Sequence, residues 1–386
     1  MPRLAHLTAL ALATTALIGL DPARAVEATY DTDQARIQVE TFADGLSHPW
    51  GAAFLPDGAL LVTERAGDLR IVSPEGELSE PVKGVPEVDA RDQGGLLDVT
   101  LDPDFASNRL VYLTYAEAGE GGNSTAVARG ELGMGDAPAL GNVEVIFRQQ
   151  PKLPSTKHFG SRLVFAPDGT LFVGLGERSE RQFRGQAQDL DSHLGKVVRI
   201  NPDGSVPQDN PFVDQDGALP EIWSYGHRNI QGGALHPETG RVWFHEHGPR
   251  GGDEINIPEA GANYGWPLVS YGVEYSGAPV NEGESQAEGI EDPIHYWTPS
   301  IGPSGMAFYT ADAFSEWQGD LFVGGLAIPK LVRLELDGDE VTGEEDLLAD
   351  LGLRIRWVGV GPQDGALYLL TDHDQAEILR ITPAEG

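Results

Sequence analysis

The chain contains no cysteine, which excludes disulfides, thiolate metal sites and cysteine nucleophiles at once. Basic residues are scarce: 26 lysines and arginines stand against 60 aspartates and glutamates, giving a formal net charge of −34 at pH 7. Such a surface repels nucleic-acid phosphates and anionic lipid, so neither is expected as a partner. Past the first twenty-odd positions no apolar run is long enough for a membrane span, and none is expected in the mature chain. A sustained 3.6-residue apolar period is missing too, which argues against a helical fold.

Glycine and proline, by contrast, are plentiful, at 49 and 27 residues. That abundance favours many short strands joined by tight turns. The N-terminus reads as an export signal: Arg3 supplies positive charge, Leu7 to Leu20 form an apolar run, and Ala23-Arg24-Ala25 is a small-residue cleavage site. The run is shorter than the roughly 20 residues needed to span a bilayer. Residues 1–25 are therefore expected to be cleaved, leaving 26–386 as a single periplasmic domain.

Six similar units follow. Each has an apolar strand, a Pro/Asp/Gly turn and a second strand of alternating apolar residues, and they begin near Trp50, Asp98, Ser161, Gly233, Gly305 and Val358. Proline fixes φ and glycine accepts φ > 0, which sets the turns. Alternation with period two marks half-buried strands. Radial repetition of such units predicts an all-β, six-bladed β-propeller with four-stranded blades. The stretch around Gly121 reads as a flexible loop, and polar excursions follow Asn201 and Ser276.

Five constellations could carry chemistry. Gln93 precedes two glycines that would let backbone approach a ligand, although Gly-Gly also simply turns a chain. His158, in "KHFGSRLVF", could accept a proton from a substrate hydroxyl or merely bond to nearby backbone. Arg228 and Asn229, in "SYGHRNIQGG", suit a carboxylate or a developing oxyanion; a structural salt bridge is the other reading for Arg228. In "HEHGPRGGDEIN", glycines free backbone carbonyls for a hard cation and Glu254 adds a carboxylate. His245 and His247 there could bind a transition metal, but no third nitrogen ligand is evident. Arg354 and Arg356 alternate, so both point to one side of a strand and need an anionic partner, either acidic side chains or a multiply charged ligand, unless that strand face is simply solvated.

Taken in order, "DQGGLLDV", "HFGSRL", "SYGHRNIQG", "HEHGPRGGDEIN" and "NYGWP" resemble the soluble aldose sugar dehydrogenases that depend on pyrroloquinoline quinone (PQQ). The resemblance runs through essentially the whole mature chain. It implies an oxidoreductase that moves a hydride from the anomeric carbon of an aldose to PQQ, leaving a lactone and passing electrons to an acceptor the sequence does not name. His158 resembles the general base. Gln93, Arg228, Asn229 and Tyr275 resemble cofactor and substrate contacts, with Arg228 facing the reduced quinone oxygen. Arg354 and Arg356 resemble the pair that neutralises the PQQ carboxylates. The carbonyls of Gly248 and Pro249 resemble ligands of a calcium ion (Ca2+) beside the cofactor, and Glu254 with the Tyr264 carbonyl resembles a second, structural calcium site.

The sequence departs from that pattern at two places. Ala327 stands where relatives carry a cofactor-binding lysine, with Lys330 three residues on as a candidate replacement. Lys157 stands where the glucose branch has an aspartate before the base. A calcium-dependent lactonase-type hydrolase and a non-catalytic binding propeller share the export signal and the repeats, and both remain open on the residues alone.

Overall fold

The computed structural model describes residues 25–135 and 137–384. The expected export signal lies outside these residues except for its last position. The six sequence units become the inner hairpins of six antiparallel blades. Blade one has three strands, Pro49–Phe54, Leu60–Glu64 and Leu69–Val72. Blades two to five have four each, and their innermost strands are Leu96–Leu101, Gly160–Phe165, Ile230–Leu235 and Pro303–Phe308. Blade six has five. Its inner strands, Ile355–Val360, Leu367–Thr371 and Ala376–Pro383, are extended outward by Arg36–Leu46 and Glu27–Asp31 from the other end of the chain. Each innermost strand contacts the next, and Ile355–Val360 contacts Pro49–Phe54, closing the ring.

Period-two alternation explains the packing. Within Leu60–Glu64, Leu60 and Val62 pack against blade six, while Leu61 packs against blade two. Every blade is buried on both faces in this way, and one apolar cluster fills each of the six gaps between neighbours. Sheet faces that would otherwise be wet are thus covered by sheets.

One expectation fails. The stretch around Gly121 is not a flexible loop but the tip of a hairpin between Leu110–Gly119 and Gly122–Gly133. Its polar residues are satisfied inside: Asn123 Nδ2 donates to Asp89 (2.8 Å) and Thr125 Oγ1 to the Phe159 carbonyl (2.7 Å). The four-strand expectation also needs adjusting at blades one and six.

Candidate active site

A single structural rule places most of the chemically interesting residues. In each blade the two innermost strands pair as a hairpin, and the positions just beyond its open end face one end of the ring axis. Gly160 pairs with Leu175, and two steps further out His158 meets Glu177. Ile355 pairs with Thr371, and one step out Arg354 meets Asp372. Ile230 pairs with Glu246, and beyond it Asn229 and Arg228 meet His247 and Gly248. Pro49 pairs with Glu64, and the next positions are His48 and Arg65.

These ends surround a cavity of about 620 Å³, lined among others by Trp50, Gln93, Asn229, Gly248, Pro249 and Tyr275. Its charged lining is four arginines, Arg65, Arg250, Arg354 and Arg356, against the single carboxylate of Asp372. Three net positive charges therefore line one hollow of a protein whose formal net charge is −34. Both predicted arginines converge on Asp372: Arg354 Nη2 lies 2.9 Å and Arg356 Nη2 2.7 Å from Oδ2. Burial opposes ionisation of Asp372, but the two guanidiniums outweigh it and hold the carboxyl far below its ordinary range. The anionic partner left open by the sequence is thus an aspartate, shared by two cations and insufficient to neutralise them.

His158 and Arg228 stand just behind the cavity wall. The His158 backbone N–H donates to Gln93 Oε1 (2.9 Å), and its Nδ1 lies 2.6 Å from Glu177 Oε1. A carboxylate at that distance fixes the tautomer with the proton on Nδ1, leaving Nε2 as the basic nitrogen. Burial and the nearby Arg228 charge lower the His158 pKa, and Glu177 only partly offsets them. The imidazole is consequently neutral near pH 7, the state a general base requires. Its backbone takes φ +49°, uncommon for a residue with a side chain and a frequent mark of functional sites.

Arg228 Nη1 donates to the carbonyls of His247 (2.8 Å) and Gly248 (2.6 Å), and its guanidinium lies 5.1 Å from the Trp266 ring centroid. The Gly248 oxygen expected to face a cation is thus already shared with a guanidinium; a carbonyl has lone pairs for both. The Pro249 carbonyl accepts no hydrogen bond among the described residues. A Cβ on Gly248 would come within 2.2 Å of the Gly251 carbonyl oxygen and 2.3 Å of the Gly252 one, so only glycine permits this crowding of hard oxygen donors. Glu254 and Tyr264 line a separate narrow crevice with Arg228 and Trp266. Burial and the neighbouring Glu246 push the Glu254 carboxyl well above the usual carboxylate range, an environment that a divalent cation would relieve.

The residues present fit an anionic aromatic cofactor. Arg65, Arg354 and Arg356 line the hollow with only the Asp372 carboxylate against them, and Trp50 and Phe159 add aromatic rings, a donor set suited to a planar polyanion. Tyr275, 73% exposed, stands at the mouth. Ala327 lines the cavity, but Lys330 does not reach back to it: its ammonium pairs with Asp346 at 2.5 Å. Beginning the strand that pairs with Glu340–Leu347, it is held by that strand's acids instead. Lys157 contributes its carbonyl to Arg178 Nε (3.0 Å). Of the two histidines, His247 Nε2 bonds the Pro303 carbonyl (2.8 Å) and His245 is fully buried with both ring nitrogens unpaired; no group of three metal-binding side chains occurs among the described residues.

Sequence reasoning missed Glu177, Asp372, Trp50, His48 and Arg65. The signal that could have found the first two is the hairpin register itself, since each lies across from a residue already singled out.

A model of the glucose/sorbosone dehydrogenase family matches residues 46–380. The aldose sugar dehydrogenase YliI of Escherichia coli K12 is 48% identical over 352 residues, covering 90% of this chain and 94% of that protein. The apo crystal structure of a soluble aldose sugar dehydrogenase from Escherichia coli, at 47% identity, superposes with a TM-score of 0.86 over 90% of this chain and all of that one. The PQQ-bound form of an aldose sugar dehydrogenase from Streptomyces coelicolor is 30% identical, with a TM-score of 0.73 over 93% of this chain and 99% of that one.

Proposed function

The chain belongs to the glucose/sorbosone dehydrogenase family of sugar oxidoreductases, and on that premise we propose that it oxidises aldoses at the anomeric carbon to lactones, using PQQ and calcium in the periplasm. Residues 1–25 would be removed on export, and 26–386 would form the catalytic propeller. The observation that carries this reading is the hollow with four arginines around one carboxylate, backed by a neutral, carboxylate-oriented histidine. PQQ bears three carboxylates, which match the three net positive charges of the lining.

When bound, PQQ supplies the hydride acceptor and calcium a Lewis acid that polarises it. Arg354 and Arg356 hold the cofactor carboxylates. Gln93, Asn229 and Tyr275 position cofactor and sugar, and Arg228 presents its charge where negative charge develops. The Gly248 and Pro249 carbonyls would hold one calcium ion, and Glu254 with the Tyr264 carbonyl would hold a second, structural one. His158 Nε2 takes the proton of the anomeric hydroxyl, because its Nδ1 proton is committed to Glu177. With that proton taken from oxygen, the anomeric carbon would become the carbonyl carbon of a lactone once its hydride passed to the bound acceptor.

The test is dye-linked oxidation of a panel of aldoses by purified protein, with PQQ and calcium supplied together and singly. Activity should require both. Silence on the whole panel after reconstitution overturns the reading, and lactone hydrolysis without PQQ would mark a hydrolase instead.

A further inference from the structure

Arg162 lies on the innermost strand of blade three, 3% exposed. Pairing with the next strand slips between Gly160 and Leu163, and such a bulge re-aims the side chain it carries. The guanidinium reaches into the axis of the ring and touches four other blades. Nε donates to the Gln231 carbonyl of blade four (2.6 Å) and Nη1 to Asp98 Oδ1 of blade two (2.9 Å). Nη2 donates to the Arg356 carbonyl of blade six (3.2 Å) and, at 3.5 Å, to the Trp50 carbonyl of blade one. The planar group lies 4.1 Å from the Trp50 ring centroid. Ser304 of blade five adds a bond to the same Arg356 carbonyl (2.9 Å), so all six blades meet around one side chain.

Its position on the axis gives that hub a function. Trp50, Gln231 and Arg356 line the large cavity. Arg162 and Asp98 line a second void of about 250 Å³, walled by inner-strand residues such as Ala52, Gly233, Gly305 and Trp357. Arg162 is the partition between the two. As a stabiliser alone the arrangement is a poor choice, because burial works against both charges and apolar residues of similar volume usually serve as well. An apolar plug, however, could not hold three backbone carbonyls in a fixed plane beneath an indole ring.

We propose that Arg162 is a positioning residue for the cofactor: its guanidinium fork holds the Trp50 ring and the Arg356 backbone as the rigid floor on which PQQ rests. This rests on the PQQ reading of the cavity. Without the fork, Trp50 and Arg356 gain freedom and the two voids merge, so the loss falls on cofactor affinity and leaves the proton-transfer machinery at His158 intact.

The experiment is a titration of apo-protein with PQQ in the presence of calcium, followed by absorbance and by quenching of tryptophan fluorescence. Three variants are compared with wild type: Asp98→Asn, which keeps the fork, Arg162→Lys, which keeps the charge, and the neutral pair Arg162→Gln with Asp98→Asn. The PQQ dissociation constant should rise about tenfold or more in the pair, equivalent to ~1.4 kcal/mol. It should rise less in Arg162→Lys and stay within about threefold in Asp98→Asn. At saturating PQQ, kcat should remain within about threefold of wild type in all three. Equal PQQ affinity in wild type and in the folded pair overturns the proposal, as does a loss in Asp98→Asn as large as in the pair. If the pair does not fold, Arg162→Lys, which keeps the charge and loses the planar fork, must itself weaken PQQ binding at least about threefold or the floor assignment falls. Failure of wild-type protein to bind PQQ at all would instead strike the functional reading beneath it.

Discussion

The chemistry proposed for His158 depends on which of two opposing influences governs its proton. Burial and Arg228 favour the neutral ring, with Arg178 acting in the same sense, while Glu177 favours the charged one. His247 is the other titratable group within reach. The balance lowers the pKa below its ordinary value of 6.5. The base is therefore in its working form above that lowered value and is lost only as pH falls through it. In PQQ-loaded enzyme, kcat/KM should stay flat from pH 8 past 6.5 and decline only in more acidic buffer. Glu177→Gln removes the charge that raises the pKa and leaves an amide that can offer Nδ1 either a donor or an acceptor, so the tautomer is no longer fixed. Its acid limb should move to still lower pH while the plateau drops about 100-fold, within the range general-base positioning supplies. A plateau equal to wild type would show that Glu177 does not orient the ring. At this scale the sequence was legible where residue types are rare: one histidine in a distinctive motif, and arginines in a chain that has few. Glu177 and Asp372 were illegible for the opposite reason, since with 60 carboxylates no single one stands out until strand pairing sets it opposite its partner.

Between residues and the whole stand the short connections that carry the carbonyls. The segment joining Val242–Glu246 to Asp253–Asn256 turns so tightly at Gly248 that any side chain would meet two carbonyl oxygens. Asp253 helps hold the turn by accepting from the Gly248 N–H (2.8 Å) and the Gly302 N–H (2.8 Å). Gly248→Ala must push that backbone apart, which should cost ~1–3 kcal/mol as other overpacked sites do. It should also displace the Gly248 and Pro249 carbonyls offered to calcium. Calorimetry with and without calcium checks both points: a lower Tm in the variant and a smaller rise on adding the ion. An undiminished calcium-induced rise would remove Gly248 from the cation site. The glycine-rich spelling of this loop was readable as a place for oxygen ligands, because glycine is needed wherever carbonyls crowd. The hairpin tip at Gly121 misled for a related reason. Its glycines and small polar residues spell a loop, but their partners, Asp89 and the Phe159 carbonyl, come from distant sequence.

For the molecule as a whole, the decisive contact joins the two ends of the chain. Arg36–Leu46 pairs with Ala376–Pro383, so blade six is complete only when the second strand of the chain meets the last. The six sequence units announced the ring, because each repeat buries its faces only against neighbours. The closure was not announced, since Arg36–Leu46 lies outside the repeated unit and its partner is more than 300 positions away. Val39 is the test position: fully buried, it pairs with Ala28 on one side and Ile381 on the other. Val39→Pro leaves a buried ladder acceptor unpaired, ~1–3 kcal/mol, and forces its ring into a packed strand held on both edges, ~1–3 kcal/mol more. Val341, in the outermost strand of blade five, pairs on one side only, with Leu336, so proline there is the matched control. Val39→Pro should lower Tm by at least about 5 °C, taking roughly 2 °C per kcal/mol for a chain of this size. It should also make unfolding less cooperative, while Val341→Pro shifts Tm by less than half as much. Equal shifts would mean that closing the ring contributes no more to stability than any other strand at the rim.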